Sequence, residues 1–327
     1  MGRNIAGQGA IQQTMKKFGT SWLVLVGCLV GVGLLSGKEV LLYLPNKLSV
    51  AIFALAFGAI LAWLLKFCQS NDVFSLHQLC KRCFGKLANA VEWLVVLCNF
   101  VCIVCGLSAT CNTLRSLFPL PYPTLEIALC AVAIAVLCNA SKILPVANAL
   151  SVVVAICLCL CLPKSQNVVE NVDTTALVVY TLFSVAMVVP VVGKVGKTCK
   201  QTILTATVAT AVFCIVTLLV QSRCNFGGTS ILVATTPMQK ALFCTSICLA
   251  TTTCLVANAT PVCQYLQDLL PNTPLLAMVV FCFATVLSTA GLDKIFALCY
   301  PFVGLVGALF LVATVTKKDC KKCNLSS

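Results

Sequence analysis

Ten stretches of this 327-residue chain run for about twenty mainly apolar residues each, and that length decides the fold class before any motif is considered. They are 18–44, 48–67, 87–114, 123–139, 142–162, 175–194, 202–221, 238–262, 273–290 and 293–316. Turn-forming punctuation separates them: LPNK from Leu44 to Lys47, FPLPYPT from Phe118 to Thr124 and LPNTP from Leu270 to Pro274. The fourth and fifth runs abut at CNASK, which leaves room only for a tight turn. With 60% hydrophobic and 9% charged residues, the chain carries far more apolar surface than one soluble core of this size encloses. The sequence therefore predicts an all-α polytopic membrane protein with about ten transmembrane helices and the lipid bilayer as its surroundings.

An even number of spans places both ends on one side. Fifteen lysines and arginines fall on the side of the amino terminus and seven on the other, the bias expected of a cytoplasmic face. The expected topology has residues 1–17 and 317–327 in the cytoplasm and the spans in a bacterial-type inner or plasma membrane. The first run is too long for a signal-peptide core and no small-residue cleavage site follows it, so it is expected to be retained. The net charge of +13 reads as an orientation signal rather than a nucleic-acid surface, because the basic residues sit in short loops and at the ends. The longest hydrophilic stretch, 69–86, holds the only histidine, His77, which reads as solvated in a cytoplasmic loop. No acid–base pair, nucleophile constellation or phosphate loop appears, so the chain does not read as an enzyme.

Most of the 24 cysteines lie inside apolar runs, where a thiol behaves as a small hydrophobe. The pairs CKRC (Cys80, Cys83) and CKKC (Cys320, Cys323) have the spacing of two halves of a four-thiolate zinc site. At this cysteine density chance alone gives about two such pairs and three occur, so free cytosolic thiols compete with zinc.

The first run contains GCLVGVGLLSGKE, Gly27 to Glu39, which puts four glycines, a serine, a lysine and a glutamate inside one span. Glycine weakens helix propagation. Unwound backbone at membrane depth is tolerated only where it faces a cavity or the protein interior. Small residues four apart also serve close helix packing, and the glycines fit both readings. The sixth run, YTLFSVAMVVPVVGKVGK, places Pro190 and Gly193 in an apolar segment, with Tyr180 and Ser184 before them. Interruptions in runs one and six of ten are where two five-helix halves correspond, 18–162 and 175–316. Five being odd, the halves are inverted, and paired broken helices in inverted repeats point to the central site of a transporter.

FGTSWLVLVGCLVGVGLLSGKEVLLYL resembles the opening of the YkvI-like membrane proteins, whose first helix carries G-x-x-x-G-x-G-x-x-S-G-[QK]-E. SKILPVANALSVVVA, YTLFSVAMVVPVVGKVGK, LATTTCLVANA and GLDKIFALCYPFVGLVGALFLV are similar to later segments of the same family, in the same order. The resemblance implies membership of the amino acid–polyamine–organocation superfamily and the five-plus-five inverted fold of the LeuT type, with helices 1 and 6 broken. It implies a secondary transporter of a small organic solute, amino acid-like or an amine, in one transmembrane domain. A non-transporting sensor subunit, as among the germinant-receptor permeases, is the alternative on the same fold.

The fold implied by the resemblance puts solute beside the two breaks, at Gly31, Gly33 and Ser36 from the first and Tyr180, Ser184 and Pro190 from the sixth. Glycine amides at a half-helix start suit a carboxylate. Tyr180 is equally read as an interfacial ring. Lys38 and Glu39 read either as a local ion pair near the outer interface or as a gate or solute contact. A coupling sodium ion would be held by the carbonyls of Gly27 and Val30 and the hydroxyls of Thr251 and Thr252, which equally suit bonds to their own helix.

Overall fold

The computed structural model describes residues 21–115, 117, 123–163, 172–198, 201–223, 236–267, 272–288 and 293–323, some of them by backbone alone. The predicted cytoplasmic segment 1–17 and residues 324–327 of the tail lie outside the described residues. Among the described residues all regular structure is helical. The first apolar run is divided into α1 (Ser21–Leu29), α2 (Val32–Leu35) and α3 (Lys38–Tyr43). There follow α4 (Lys47–Ser70), α5 (Leu76–Phe84), α6 (Ala88–Arg115), α7 (Thr124–Cys138) and α8 (Ala140–Cys161). The second half comprises α9 (Thr174–Thr198), α10 (Thr202–Gln221), α11 (Pro237–Leu266), α12 (Thr273–Ser288) and α13 (Asp293–Cys323).

Among the described residues seven helices are long and apolar enough to cross a membrane. The predicted spans 123–139 and 273–290 are shorter apolar helices, and the first span is in three pieces. The punctuation read from the sequence acts as capping. Asn46 opens α4 with a capping box, its side chain accepting from the Ser49 amide at 2.8 Å while Ser49 Oγ accepts from the Asn46 amide at 3.2 Å. Thr236 and Gln239 do the same for α11, with Pro237 in the first turn, where a missing amide hydrogen costs nothing.

Two sequence readings are corrected here. His77 is not a solvated loop residue: stretch 69–86 folds in part into α5, and His77 Nδ1 lies 2.6 Å from Glu92 Oε2 of α6, with Glu92 buried. The sixth span is not broken. α9 runs without interruption through Pro190, although proline gives the Ala186 carbonyl no amide hydrogen. Such a helix persists in a membrane when its neighbours hold it, and α13 packs tightly along this one. A Cβ on Gly304 would lie 3.3 Å from the Val179 carbonyl oxygen, and one on Gly307 would collide with that of Leu182. The glycines after Pro190 serve close approach as well. A Cβ at Gly193 would meet the Phe74 backbone at 3.2 Å, and one at Gly196 the Leu65 carbonyl oxygen at 2.9 Å.

Helix neighbours fall into a regular pattern. With the three pieces of the first run counted together and α5 set aside, the helices that fall in the ten sequence-predicted runs are numbered as spans one to ten in chain order. Spans one and six touch each other, as do two and seven, three and eight, and four and nine. Span six touches ten as one touches five, six touches two as one touches seven, and eight touches five as three touches ten. α1 sits at the centre against α8, α9, α10 and α11, with Leu25 and Val26 fully buried. Apolar side chains such as Leu55, Ile127, Leu160, Ile203, Phe283 and Val312 face outward, the surface a lipid environment requires.

Candidate site at the break in the first span

The interruption is built from local backbone bonds. The Gly31 amide reaches back only to the Leu29 carbonyl at 3.1 Å, which ends α1. α2 makes little more than one turn, with the Leu35 amide on Gly31 O and the Gly37 amide on Leu34 O. Gly37 then adopts φ 79°, a left-handed conformation that glycine enters without a Cβ penalty, and α3 starts in a new direction. Asn148 of α8 donates to the Leu23 carbonyl at 3.1 Å, and Gln221 of α10 donates to the Leu44 carbonyl at 2.9 Å. These two side chains fasten the interrupted span at both ends.

The change of direction at Gly37 turns Glu39 inward and leaves Lys38 exposed. Glu39 folds back over Gly33, where any Cβ would collide with its carboxylate. The Tyr180 hydroxyl of α9 donates to Glu39 Oε2 at 2.8 Å, and the Tyr300 hydroxyl of α13 donates to Oε1 at 2.6 Å. Tyr43 stacks against both rings, with centroids 5.1 Å apart in each case. Phe183 lies 4.3 Å from the Tyr300 ring and Phe53 5.5 Å from the Tyr180 ring. Three of the five tyrosines of the chain thus converge on one buried carboxylate.

The sequence-predicted residues have distinct places in this arrangement. Gly33 forms the floor beneath Glu39. Gly31 lies under Cys254 of α11, whose Sγ would stand 3.7 Å from an added Cβ. Ser36 is buried and donates to the Gly33 carbonyl at 3.1 Å, which closes the break on itself. Tyr180 is 2% exposed, so it is not an interfacial ring. Ser184 donates to the Tyr180 carbonyl at 2.8 Å, and Pro190 lies within continuous helix. The ion pair read for Lys38 and Glu39 is replaced by the two tyrosine hydrogen bonds on Glu39.

For the ion, Gly27 is covered by the Asn148 amide, and Val30 is buried. Asn148 Oδ1 is buried and has no hydrogen-bond partner among the described residues. Thr251 pairs its hydroxyl with that of Thr110 on α6 at 2.7 Å, while Thr252 donates to the Cys248 carbonyl at 2.8 Å. Cys80 and Cys83 are buried on α5. The side chains of Cys320 and Cys323 lie outside the described residues, and so does the four-thiolate reading. An apolar groove of 310 Å³ between α6, α11 and α12, lined by Trp93, Phe100, Val262 and Phe283 among others, shares no residue with the Glu39 site.

Tyr43, Asn148 and Tyr300 are not among the residues the sequence singles out, whereas Glu39 stands there with Lys38 as an ion pair or a gate or solute contact. One signal did stand in the sequence: Glu39 is the single acid in the first apolar run, and an ionisable residue at membrane depth is costly and functional by default.

No protein-family model matches the chain, and no curated protein matches it in sequence. Among solved structures it is similar to a manganese transporter of Eremococcus coleocola, determined in complex with an aromatic bis-isothiourea substituted compound. The TM-score is 0.52 at 11% identity, over 97% of this chain and 78% of that one. The chain therefore has the fold of a polytopic membrane transporter. The finer resemblance to YkvI-like proteins has no matching family model behind it.

Proposed function

We propose that the chain is a secondary active transporter that moves a small organic solute bearing an amine, by alternating access around the break in the first span. The observation that carries this reading is the buried Glu39 carboxylate among Tyr43, Tyr180 and Tyr300. A buried carboxyl group walled by aromatic faces suits an ammonium, which gains from the carboxylate it can form with it and from the ring quadrupoles together. Glycine amides at the break were expected to suit a solute carboxylate. The protein's own carboxylate now occupies the face of Gly33, which favours the cationic end of a solute.

Manganese, the ion for which the structural neighbour is named a transporter, is a second class of cargo to weigh. That ion favours several oxygen ligands, whereas here one carboxylate stands among aromatic rings. The amine is the better fit. The reciprocal pattern of helix contacts supports two inverted five-helix halves, 18–162 and 175–316, as in the LeuT type. Within that reading the rocking halves meet at Glu39, because its two partners come from spans six and ten. Sodium is part of the proposal as the coupling ion, at the carbonyls of Gly27 and Val30 with Thr251 and Thr252. The unpartnered Asn148 Oδ1 beside Gly27 supports it by adding a hard oxygen.

The test is a thermal-shift screen of the purified chain against amines, amino acids, manganese and a bis-isothiourea, each with and without sodium, followed by uptake into proteoliposomes. Ligands of the folded state raise its stability by mass action. Stabilisation and uptake of an amine, both lost in Glu39→Gln, is the expected result. Stabilisation by manganese or carboxylates alone contradicts the reading, and binding without uptake assigns a sensor instead. Sodium-independent binding and uptake, unchanged in Thr252→Ala, removes the sodium component.

A further inference from the structure

Several sulfur atoms meet along one face of α6. On α6, Cys98, Cys102 and Cys105 stand four and three residues apart, so they share one helical face. Cys102 Sγ lies 3.7 Å from the Met187 thioether of α9. Cys105 Sγ lies 3.8 Å from Cys299 Sγ of α13. A single thiol against apolar neighbours is a small hydrophobe. Two thiols from different helices in sulfur-to-sulfur contact are a donor pair.

We propose that Cys105 and Cys299 form a two-thiol site for a thiophilic monovalent d10 cation, copper(I) or its surrogate silver(I), which bridges α6 to α13. Thiolate ligands select such ions over the hard cations of the cell. Two metal–sulfur bonds of about 2.3 Å span about 3.8 Å at a tetrahedral angle and about 4.6 Å in line, so the observed separation needs under about 1 Å of opening. Two thiolates suffice for this class of ion. Among the described residues no group of three His, Cys, Asp or Glu side chains is placed to hold a metal, which disfavours an ion of higher coordination number here. On binding, the cation forms two metal–sulfur bonds and both thiol protons leave to solvent. The local charge falls by one, and no oxidant or reductant takes part. Cys105 is buried, while Cys299 is partly exposed and gives the ion its approach.

Cys299 directly precedes Tyr300, one of the two residues that hold Glu39, so a bridging ion ties the candidate solute site to α6. The site stands on the two thiols alone, whether or not the chain carries an amine. It is tested with the full-length reduced protein in detergent, titrated with silver(I) against a competing chelator. The wild type is expected to bind one equivalent more than Cys105→Ser/Cys299→Ser, with each single variant losing that same equivalent. Cys157→Ser, exposed on α8, keeps it. Silver is expected to raise the unfolding temperature of the wild type but of neither single variant. Should the variants fail to fold, alkylation of the wild type mapped by mass spectrometry decides. The first equivalent of silver protects Cys105 and Cys299 together. Equal stoichiometry in wild type and double variant, loss in only one single variant, or first protection of other cysteines overturns the proposal.

Discussion

The broken first span and the continuous α9 lie against each other and share the Glu39–Tyr180 hydrogen bond, yet similar helix-weakening residues have opposite outcomes in them. In the first span Gly37 takes a left-handed conformation, Ser36 bonds back to Gly33, and the chain turns so that Glu39 enters the interior. In α9 Pro190 removes an amide hydrogen but the helix goes on, with Gly304 and Gly307 of α13 packed closely against the turns just before it. A glycine or proline inside a span therefore sets a possibility. What decides between break and packing is whether a neighbour occupies the gap or a side chain of the same segment folds into it.

This contrast predicts a graded series of effects. The largest falls on Gly33→Val, because the new side chain takes the space of the Glu39 carboxylate. Overpacking of this kind costs about 1–3 kcal/mol, and displacement of a buried charge adds to it. The unfolding midpoint is expected to drop and amine binding to vanish. Wild-type stability in this variant would mean that Glu39 has another resting place.

Tyr300→Phe and Tyr180→Phe come next, each removing one donor from the carboxylate. A hydrogen bond to a charged group contributes about 1.5–3 kcal/mol. Chemical unfolding is expected to show that loss in each single variant. Losses that simply add in the double variant would separate the two tyrosines from a common role.

Pro190→Ala is predicted to be mild. The helix is already continuous, so a restored amide bonds the Ala186 carbonyl and raises stability by up to about 1 kcal/mol, with amine uptake close to wild type. A collapse of uptake would show that α9 bends at Pro190 during transport and would weaken the contrast. Ser184→Ala is the smallest of the series, about 0.5 kcal/mol or less, since the hydroxyl bonds its own helix and not the site.

The sequence made the apolar runs legible because apolar length is a one-dimensional property, and made the first interruption legible as one of two readings, since the glycines from Gly27 to Gly37 suit both a break and close packing. It could not make the direction of Glu39 legible. That direction follows from the positive φ at Gly37, and a residue's φ is not written in a hydropathy pattern. The unbroken state of α9 was hidden for a different reason: the helix packed closely against it contributes Gly304 and Gly307, more than a hundred residues further along. Tyr300 lay in a segment already matched by family resemblance, but only the third dimension brings it to Glu39 with Tyr43 and Tyr180. For His77, a polar composition suggested solvent, whereas the pairing with Glu92 depends on α5 folding back onto α6.

The central claim is that the Glu39 carboxylate is the group that receives an amine at the break. Calorimetric titration of the amine that stabilises the wild type into Glu39→Gln, which keeps the side-chain shape, tests it most directly. The account predicts a folded variant whose affinity falls by at least about tenfold, or about 1.4 kcal/mol. A folded variant that binds the same amine with wild-type affinity would contradict it.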